Sequence, residues 1–234
     1  MNSTMIWYCL ECGNYSYEAP KVESTLRNVW ICDLCKADGV VDMKINPSKE
    51  LRSLIKDMEA AAPSGSFDDT RPYYRPLNYL LDALKLAKNF VNIATESMDA
   101  FFLGVLCLKQ SEPEIEQRVM LWHPQRLYED LGQLMNHSMV IKGFQKRENV
   151  ISRGLLIATV SKAHQKLFVI DGVVAFKGSA NASLDAWTDQ GNIIDLVTNP
   201  ISIQTLNRRY FASYMAKKRT GVDVLWPKMR AEEK

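Results

Sequence analysis

The sequence has little that would direct it to a membrane, a secretory route or a strongly charged partner. No window reaches the roughly 18 consecutive apolar residues that a membrane-spanning helix needs. The best window, 90–108, is interrupted by Asn92, Glu96 and Asp99. The first residues lack the basic segment and apolar core of a signal peptide. The net charge is only +2, so a preference for nucleic acid must come from local patches. We therefore expect a cytoplasmic protein with no membrane partner.

Cysteine is also scarce, with five residues in the chain, but four of them form two CxxC pairs. The pairs are Cys9 with Cys12 and Cys32 with Cys35, separated by 19 residues. Reduced thiols at this spacing are typical of a four-cysteine zinc site, whereas a redox dithiol would need only one CxxC. The sequence therefore predicts structural zinc, bound by these four cysteines in a zinc ribbon over residues 1–45.

The charge of this ribbon bears on its role. Residues 1–45 carry six acidic and four basic side chains, and four metal-bound thiolates add further negative charge. An acidic module gains no counterion-release attraction to phosphate. This favours dimerisation or protein contact over clamping of DNA. Exposed aromatic side chains could still stack on single-stranded bases, so that alternative stays open.

The rest of the chain reads as a helix and linker over 46–72, a domain over 73–219 and a C-terminal tail over 220–234. Asn46 and Pro47 predict a helix start, with Asn46 as the cap. Beyond the linker, helical patterns at 77–88, 100–108, 127–136 and 203–218 alternate with strand-like segments at 90–94, 119–122, 155–160, 167–170 and 173–176. This order predicts an α/β layered domain with a mixed sheet.

One stretch of this domain carries groups suited to phosphate chemistry. His164 and Lys166 are two residues apart, so on a strand both side chains face the same way. Asp171-Gly172 predicts a two-residue hairpin turn, which folds Ser179 and Asn181 back beside them. The lysine can neutralise charge, while Ser179 and Asn181 donate hydrogen bonds as negative charge builds up. The histidine can attack phosphorus if a partner holds its tautomer.

These residues meet every position of the HxKx4Dx6GSxN signature, known as the HKD motif, through His164, Lys166, Asp171, Gly178, Ser179 and Asn181. The sequence thus resembles the phospholipase D superfamily. The resemblance implies a phospholipase D-like α/β domain and a phosphodiesterase that forms a phosphohistidine on His164, without catalytic metal. It also implies that Lys166 and Asn181 bind the non-bridging oxygens with Ser179 near them, and that Asp171 braces the motif.

The family also uses a downstream acidic residue to orient the histidine, and Asp195 is our candidate, with Asp189 as the alternative. The chain holds one such motif only, because neither His123 nor His137 has a lysine two residues on. Single-motif members resemble the small bacterial endonucleases of the family, which pair as dimers. We therefore expect a homodimer whose composite site takes His164 from each copy.

The substrate is predicted from local charge, since the fold alone serves lipids as well as nucleic acids. One basic cluster comprises Lys142, Lys146, Arg147, Arg153, Lys162 and Lys166, and a second comprises Arg208, Arg209, Lys217, Lys218 and Arg219. Such clusters attract a phosphate backbone, although each could be a solvated surface. Nuclease activity on DNA or RNA is the preferred interpretation. The alternatives are a phospholipase or other phosphodiesterase, a non-catalytic nucleic-acid-binding relic, and an adaptor organised by the zinc ribbon.

Overall fold

The computed structural model of the chain describes residues 3–20, 30–67, 76–109, 115–126, 129, 155–160, 164–188, 191–217 and 223–224. Within these ranges the main sheet has seven strands in the order β10-β6-β5-β4-β7-β8-β9. They are β4 (Phe90–Ser97), β5 (Glu116–His123), β6 (Leu155–Thr159), β7 (Leu167–Ile170), β8 (Val174–Gly178), β9 (Ile194–Val197) and β10 (Asp223–Val224). Strands β4, β5 and β6 are parallel, and the others pair antiparallel to their neighbours. The predicted α/β class with a mixed sheet is confirmed.

The centre of this sheet is buried because its strands are almost continuously apolar. Residues 90–95 of β4 and all of β7 are buried, as expected of strands covered on both faces. The covering helices are α1 (Lys49–Ala61), α2 (Pro76–Leu86), α3 (Ala100–Lys109), α4 (Leu184–Thr188) and α5 (Pro200–Asn207). After α5 the chain continues as a π-helical turn (Arg208–Ala212) and a short α6 (Ser213–Met215).

Two local predictions need correction. Helix α1 is capped by Ser48, whose hydroxyl accepts a hydrogen bond from the Leu51 N–H at 3.1 Å, so Asn46 is not the cap. The β7–β8 hairpin spans three residues, because Ile170 lies directly opposite Val174. Its turn is closed by the Val173 N–H to the Ile170 carbonyl, with positive φ at both Asp171 and Gly172. Val173 is the residue that the two-residue interpretation assigned to the strand.

The N-terminal strands form a second sheet that packs on the first. Its order is β2 (Tyr15–Ser16), β1 (Thr4–Cys9) and β3 (Val40–Ile45), all antiparallel. The Tyr8 ring packs against Phe90 with centroids 4.7 Å apart, and its hydroxyl donates to Asn92 Oδ1 at 2.7 Å. Arg118 Nε donates to the Leu10 carbonyl at 2.8 Å. The cysteine-containing segment therefore shares its hydrophobic core with the main sheet.

Residues on both sides of the predicted domain also join the main sheet. The Phe67 N–H donates to the Ile194 carbonyl at 3.0 Å and the Leu196 N–H to the Gly65 carbonyl at 2.7 Å, so part of the linker pairs with the edge strand β9. Asp223–Val224, beyond residue 219, pairs with β6. None of the described helices is long and apolar enough to cross a membrane. The predicted helix at 127–136 and the basic residues at 142–162 lie outside the described residues.

Candidate active site

His164 and Lys166 immediately precede β7, which runs antiparallel to β4, so they lie at the carboxyl end of β4. Lys166 Nζ lies 3.1 Å from His164 Nδ1 and also donates to the carbonyl oxygen of His164 at 3.1 Å. The imidazole is open to solvent, with 68% of its side chain exposed, whereas Lys166 is 9% exposed. The lysine ammonium is thus held in place at the edge of an accessible histidine.

Glu96, the penultimate residue of β4, joins these two side chains. Its Oε2 accepts a hydrogen bond from Lys166 Nζ at 2.6 Å and lies 3.4 Å from His164 Nε2. The hydrogen bond from Lys166 is the main cause of a pKa of Glu96 below its ordinary value, and the nearby charges of Lys166, His164 and His123 act in the same direction. The carboxylate is therefore ionised at neutral pH.

Asn181 is fixed by the same strand end. Its Oδ1 accepts from the Glu96 N–H at 3.1 Å and lies 3.4 Å from both the Ser97 nitrogen and Thr95 Oγ1. Because these neighbours are donors, the carboxamide oxygen must face β4, and its N–H groups point the other way. The amide is thereby oriented to donate away from the sheet.

Ser179, which we expected near the non-bridging oxygens of the substrate, is hydrogen-bonded to neighbouring residues of the chain. Its hydroxyl donates to Asn192 Oδ1 at 2.8 Å and accepts from the Ile193 N–H at 2.9 Å. The Ser179 N–H donates to the Ile193 carbonyl at 3.0 Å. Ser179 thus ties the end of β8 to the segment that enters β9, while remaining exposed to solvent.

Gly178 permits this close approach of the two strands. A Cβ at this position would overlap the backbone carbonyl of Ile193. We expect Gly178→Ala to lower the free energy of unfolding by about 3 kcal/mol, because main chain cannot move aside as a flexible side chain can. Gly104→Ala is the matched control: a Cβ there meets nothing within 4 Å, and the helical position should gain up to about 1 kcal/mol. Urea unfolding of both variants measures the difference, and equal stability would contradict the prediction.

Asp171 lies away from solvent at the β7–β8 turn. Its carboxylate accepts the backbone N–H groups of Lys88, Asn89 and Phe90 at 2.8–2.9 Å. Burial raises the pKa of Asp171 above its ordinary value, and the three backbone donors oppose that rise. The acid joins the hairpin turn to the start of β4, at the opposite end of the strand from Glu96.

Asp195, the candidate orienting acid, is engaged elsewhere. Its Oδ1 accepts a short hydrogen bond from the hydroxyl of Ser66, the residue opposite it where the 65–67 segment pairs with β9. The acid that the structure places next to His164 is therefore Glu96, whereas we had expected Asp195 there. Asp189, the alternative, lies outside the described residues. Sequence reasoning missed Glu96 because its strand was predicted to end at Ala94. A charged residue directly after a buried apolar run was the available signal.

His123, to which we assigned no role from the sequence, lies at the same edge of the sheet. It ends β5 directly opposite Ser97. Its ring is stacked on Trp122 with centroids 4.3 Å apart, and the Trp122 ring meets His164 edge-on at 5.4 Å. Two imidazoles of one chain thus contact the same indole. His137 lies outside the described residues.

The four predicted zinc ligands come together at the end of β1, where Cys9 meets Cys12, Cys32 and Cys35 from the neighbouring turns. Their sulfur atoms all lie within 4.8 Å of one another, with Cys9 Sγ 3.6 Å from Cys35 Sγ and Cys12 Sγ 3.8 Å from Cys32 Sγ. Cys107 is buried in α3 and does not belong to the cluster. Four convergent sulfur atoms are suited to holding one metal ion.

Some cations of the second basic cluster have intramolecular partners. Arg208 forms an ion pair with Asp33 at 2.8 Å, which links the π-helical turn to the cysteine-containing segment. Arg209 lies over the Tyr210 ring at 5.1 Å, and Lys217 lies over the Tyr214 ring at 5.6 Å. The other predicted basic residues, apart from Lys166, lie outside the described residues.

No protein-family model matches this chain, and no curated protein matches its sequence. Among solved structures, NucT from Helicobacter pylori matches at 19% identity and a TM-score of 0.43, over 66% of this chain and 94% of NucT. Nuc from Salmonella typhimurium, described as a phospholipase D family member, matches at 15% identity and 0.41, over 64% and 87%. Phosphatidylserine synthase from Haemophilus influenzae matches at 14% identity and 0.42, over 64% and 36%. At these low scores the chemistry has to be inferred from the side chains themselves.

Proposed function

We propose that the protein is a phosphodiesterase, and specifically a metal-independent endonuclease that works through a phosphohistidine on His164. The observation that carries the proposal is the convergence of an accessible imidazole, a fixed ammonium and an oriented carboxamide at one edge of the sheet. Lys166 Nζ and the N–H groups of Asn181 supply positive charge and hydrogen-bond donors for the non-bridging oxygens of a phosphodiester. His164 supplies the nucleophile.

The reaction proceeds in two displacements. A nitrogen of His164 bonds to phosphorus as the bond to the leaving oxygen breaks, and a second histidine donates a proton to that oxygen. Water then attacks the phosphohistidine, gives its proton to the second histidine, and releases His164. In this proposal the second histidine is His164 of the other copy in a homodimer, which makes the active site composite.

Nucleic acid is the proposed substrate because of the basic residues near the motif. Lys142, Lys146, Arg147, Arg153 and Lys162 precede the motif in sequence, and a dimer would present each of them twice. The decisive experiment is a cleavage panel of single- and double-stranded DNA and RNA in EDTA, with His164→Ala protein as the blank. Release of head groups from phospholipid vesicles without cleavage of any polymer would reject the nuclease.

The cysteine cluster is assigned to structural zinc, in a protein working in the reducing cytoplasm. A tetrahedral site with Zn–S bonds of about 2.3 Å places its sulfur atoms about 3.8 Å apart, close to the two separations of 3.6 Å and 3.8 Å. Zinc would then join the end of β1 to residues 32–35. Tyr8, next to Cys9, packs on Phe90 at the start of β4, the opposite end of that strand from Glu96 and His164.

Cys9→Ser tests this assignment, with Cys107→Ser as the matched control. We expect the unmodified chain and the control to carry one zinc ion each by elemental analysis. Cys9→Ser should lose the metal and, because Tyr8 and Phe90 pack together, lose on the order of 3 kcal/mol or more of unfolding free energy. Equal zinc content in both variants would reject the assignment.

A further inference from the structure

Trp122 is an aromatic side chain in contact with both histidines at the active-site edge of the sheet. We propose that its indole is a stacking surface for a nucleobase next to the scissile phosphate, and that it makes the enzyme select unpaired nucleic acid. The inference rests on the proposed function, because it takes the phosphodiester at His164 to be part of a nucleic acid. It adds a substrate-binding residue outside the HKD motif.

The fold places Trp122 next to the nucleophile across the end of one strand. Trp122 is the penultimate residue of β5, which is parallel to β4, and β7 pairs with the other side of β4. Neighbouring strands lie about 4.8 Å apart. Side chains at the end of β5 and before the start of β7 can therefore meet over the end of β4. The indole and the His164 imidazole do so, with centroids 5.4 Å apart and planes inclined at 61°.

The indole is held at a fixed angle but is not enclosed. His123 lies nearly parallel to it, with centroids 4.3 Å apart and 24° between the planes. Trp122 is half-buried, whereas His123 and His164 are exposed to solvent. A ring in contact with two exposed side chains lies at the surface of the site, within reach of a substrate. A flat group of the substrate can stack on the part of the indole that His123 leaves uncovered.

The kind of substrate follows from what an indole can recognise. Its flat π-face packs against another flat ring, and a glycerophospholipid offers none. Every nucleobase has such a face, so a base can stack on an aromatic side chain whatever its identity. In a nucleotide one sugar separates the base from the phosphate, and in the site one ring contact separates Trp122 from His164. A base on the indole thus places its phosphate beside the nucleophile.

Stacking on Trp122 also discriminates between single and double strands. A base inside a duplex is paired and stacked on its neighbours, so it must leave the helix, at a cost in free energy, before it can reach the indole. An unpaired base has little of that cost to meet. In the proposed homodimer each copy brings one indole beside its own His164, so the bases on both sides of the phosphate can be held.

Trp122→Leu tests the stacking with two small phosphodiesters that differ only in their bases. One is thymidylyl-thymidine, and the other carries a base-free tetrahydrofuran sugar in place of each nucleoside. For thymidylyl-thymidine we expect KM to rise about 10- to 100-fold, which corresponds to the loss of one base stack. We expect kcat to change less than about twofold, because the base is bound equally in the ground state and the transition state. The base-free diester should show no change in either constant, and Trp122→Phe, which keeps a ring, should restore most of the binding.

Strand selection is measured with one oligonucleotide, alone and in its duplex, in EDTA. We expect kcat/KM of the unmodified protein to be at least about 10-fold higher on the single strand, and Trp122→Leu should remove most of that difference. Competition experiments on the unmodified protein answer the same question if Trp122→Leu does not fold. A single strand of base-free sugars should then inhibit cleavage about 10-fold less well than a strand with bases.

The outcomes separate the inference from the function on which it rests. Equal losses on the base-bearing and base-free diesters would show that Trp122 only supports His164, and would overturn the inference. Equal cleavage of single strand and duplex by the unmodified protein, or equal inhibition by strands with and without bases, would overturn it as well. If the unmodified protein does not exceed the His164→Ala blank on any of these substrates, the proposed function itself fails.

Discussion

His164→Ala protein is expected to lose phosphodiester hydrolysis by at least about 10³-fold in kcat while keeping its fold. Removing the nucleophile of a covalent mechanism abolishes the intermediate, and comparable single deletions in other enzymes cost between about 10⁴ and 10⁶. The side chain is 68% exposed, so its loss should change the free energy of unfolding by no more than about 0.5 kcal/mol. If His164 had only a structural role, His164→Ala would lower the free energy of unfolding, and activity would fall only as far as the protein unfolds.

Trapping the intermediate makes this prediction specific to covalent chemistry. Unmodified protein mixed with a substrate labelled at the scissile phosphate and quenched in alkali should retain label on a histidine, because a phosphoramidate survives base and hydrolyses in acid. His164→Ala should retain none. Lys166→Ala, which keeps the nucleophile but loses the cation beside it, should be slowed about 10²- to 10³-fold and should still label. Label on His164→Ala would show that another residue is the nucleophile.

Much of the motif's local geometry could be predicted because it depends on short-range rules. Asp171-Gly172 predicts a turn that tolerates positive φ, and both residues adopt it. The apolar runs on either side predict β7 and β8, so the return of Gly178 beside Lys166 follows from the hairpin. The spacing of the cysteines likewise predicts their clustering. In each case the decisive residues are near one another in sequence.

The errors occur where residues distant in sequence meet. Glu96 precedes Lys166 by 70 residues, and only the antiparallel pairing of β4 with β7 brings them together. Asp195 is taken by Ser66, 129 residues away, because the linker pairs with the edge strand. Helix periodicity and turn chemistry carry no information about which strands become neighbours. The charge partners of a site built across a sheet therefore could not be assigned from the sequence.

Mixing experiments should show whether two copies build one active site. If both histidines are needed, a dimer that contains one His164→Ala chain is inactive, and activity falls as the square of the unmodified fraction. In the experiment, one part of unmodified protein is refolded with nine parts of His164→Ala protein. The mixture should keep roughly 1% of the activity of an equal amount of unmodified protein, whereas independent sites would keep roughly 10%. Gly104→Ala, remote from the site, is the mixing control and should cause no suppression.

A linear loss of activity in the mixing experiment would reject the composite site and require the leaving-group acid to come from the same chain. His123 is the described histidine placed for that role, since it contacts the same Trp122 ring as His164 and lies opposite Ser97 at the end of β4. His123→Gln separates the two cases further. If His123 is the leaving-group acid, the variant should lose most of its activity on nucleic acid. It should lose little activity on a nitrophenyl phosphodiester, because that leaving group needs no proton. With a composite site, His123→Gln should affect both substrates alike.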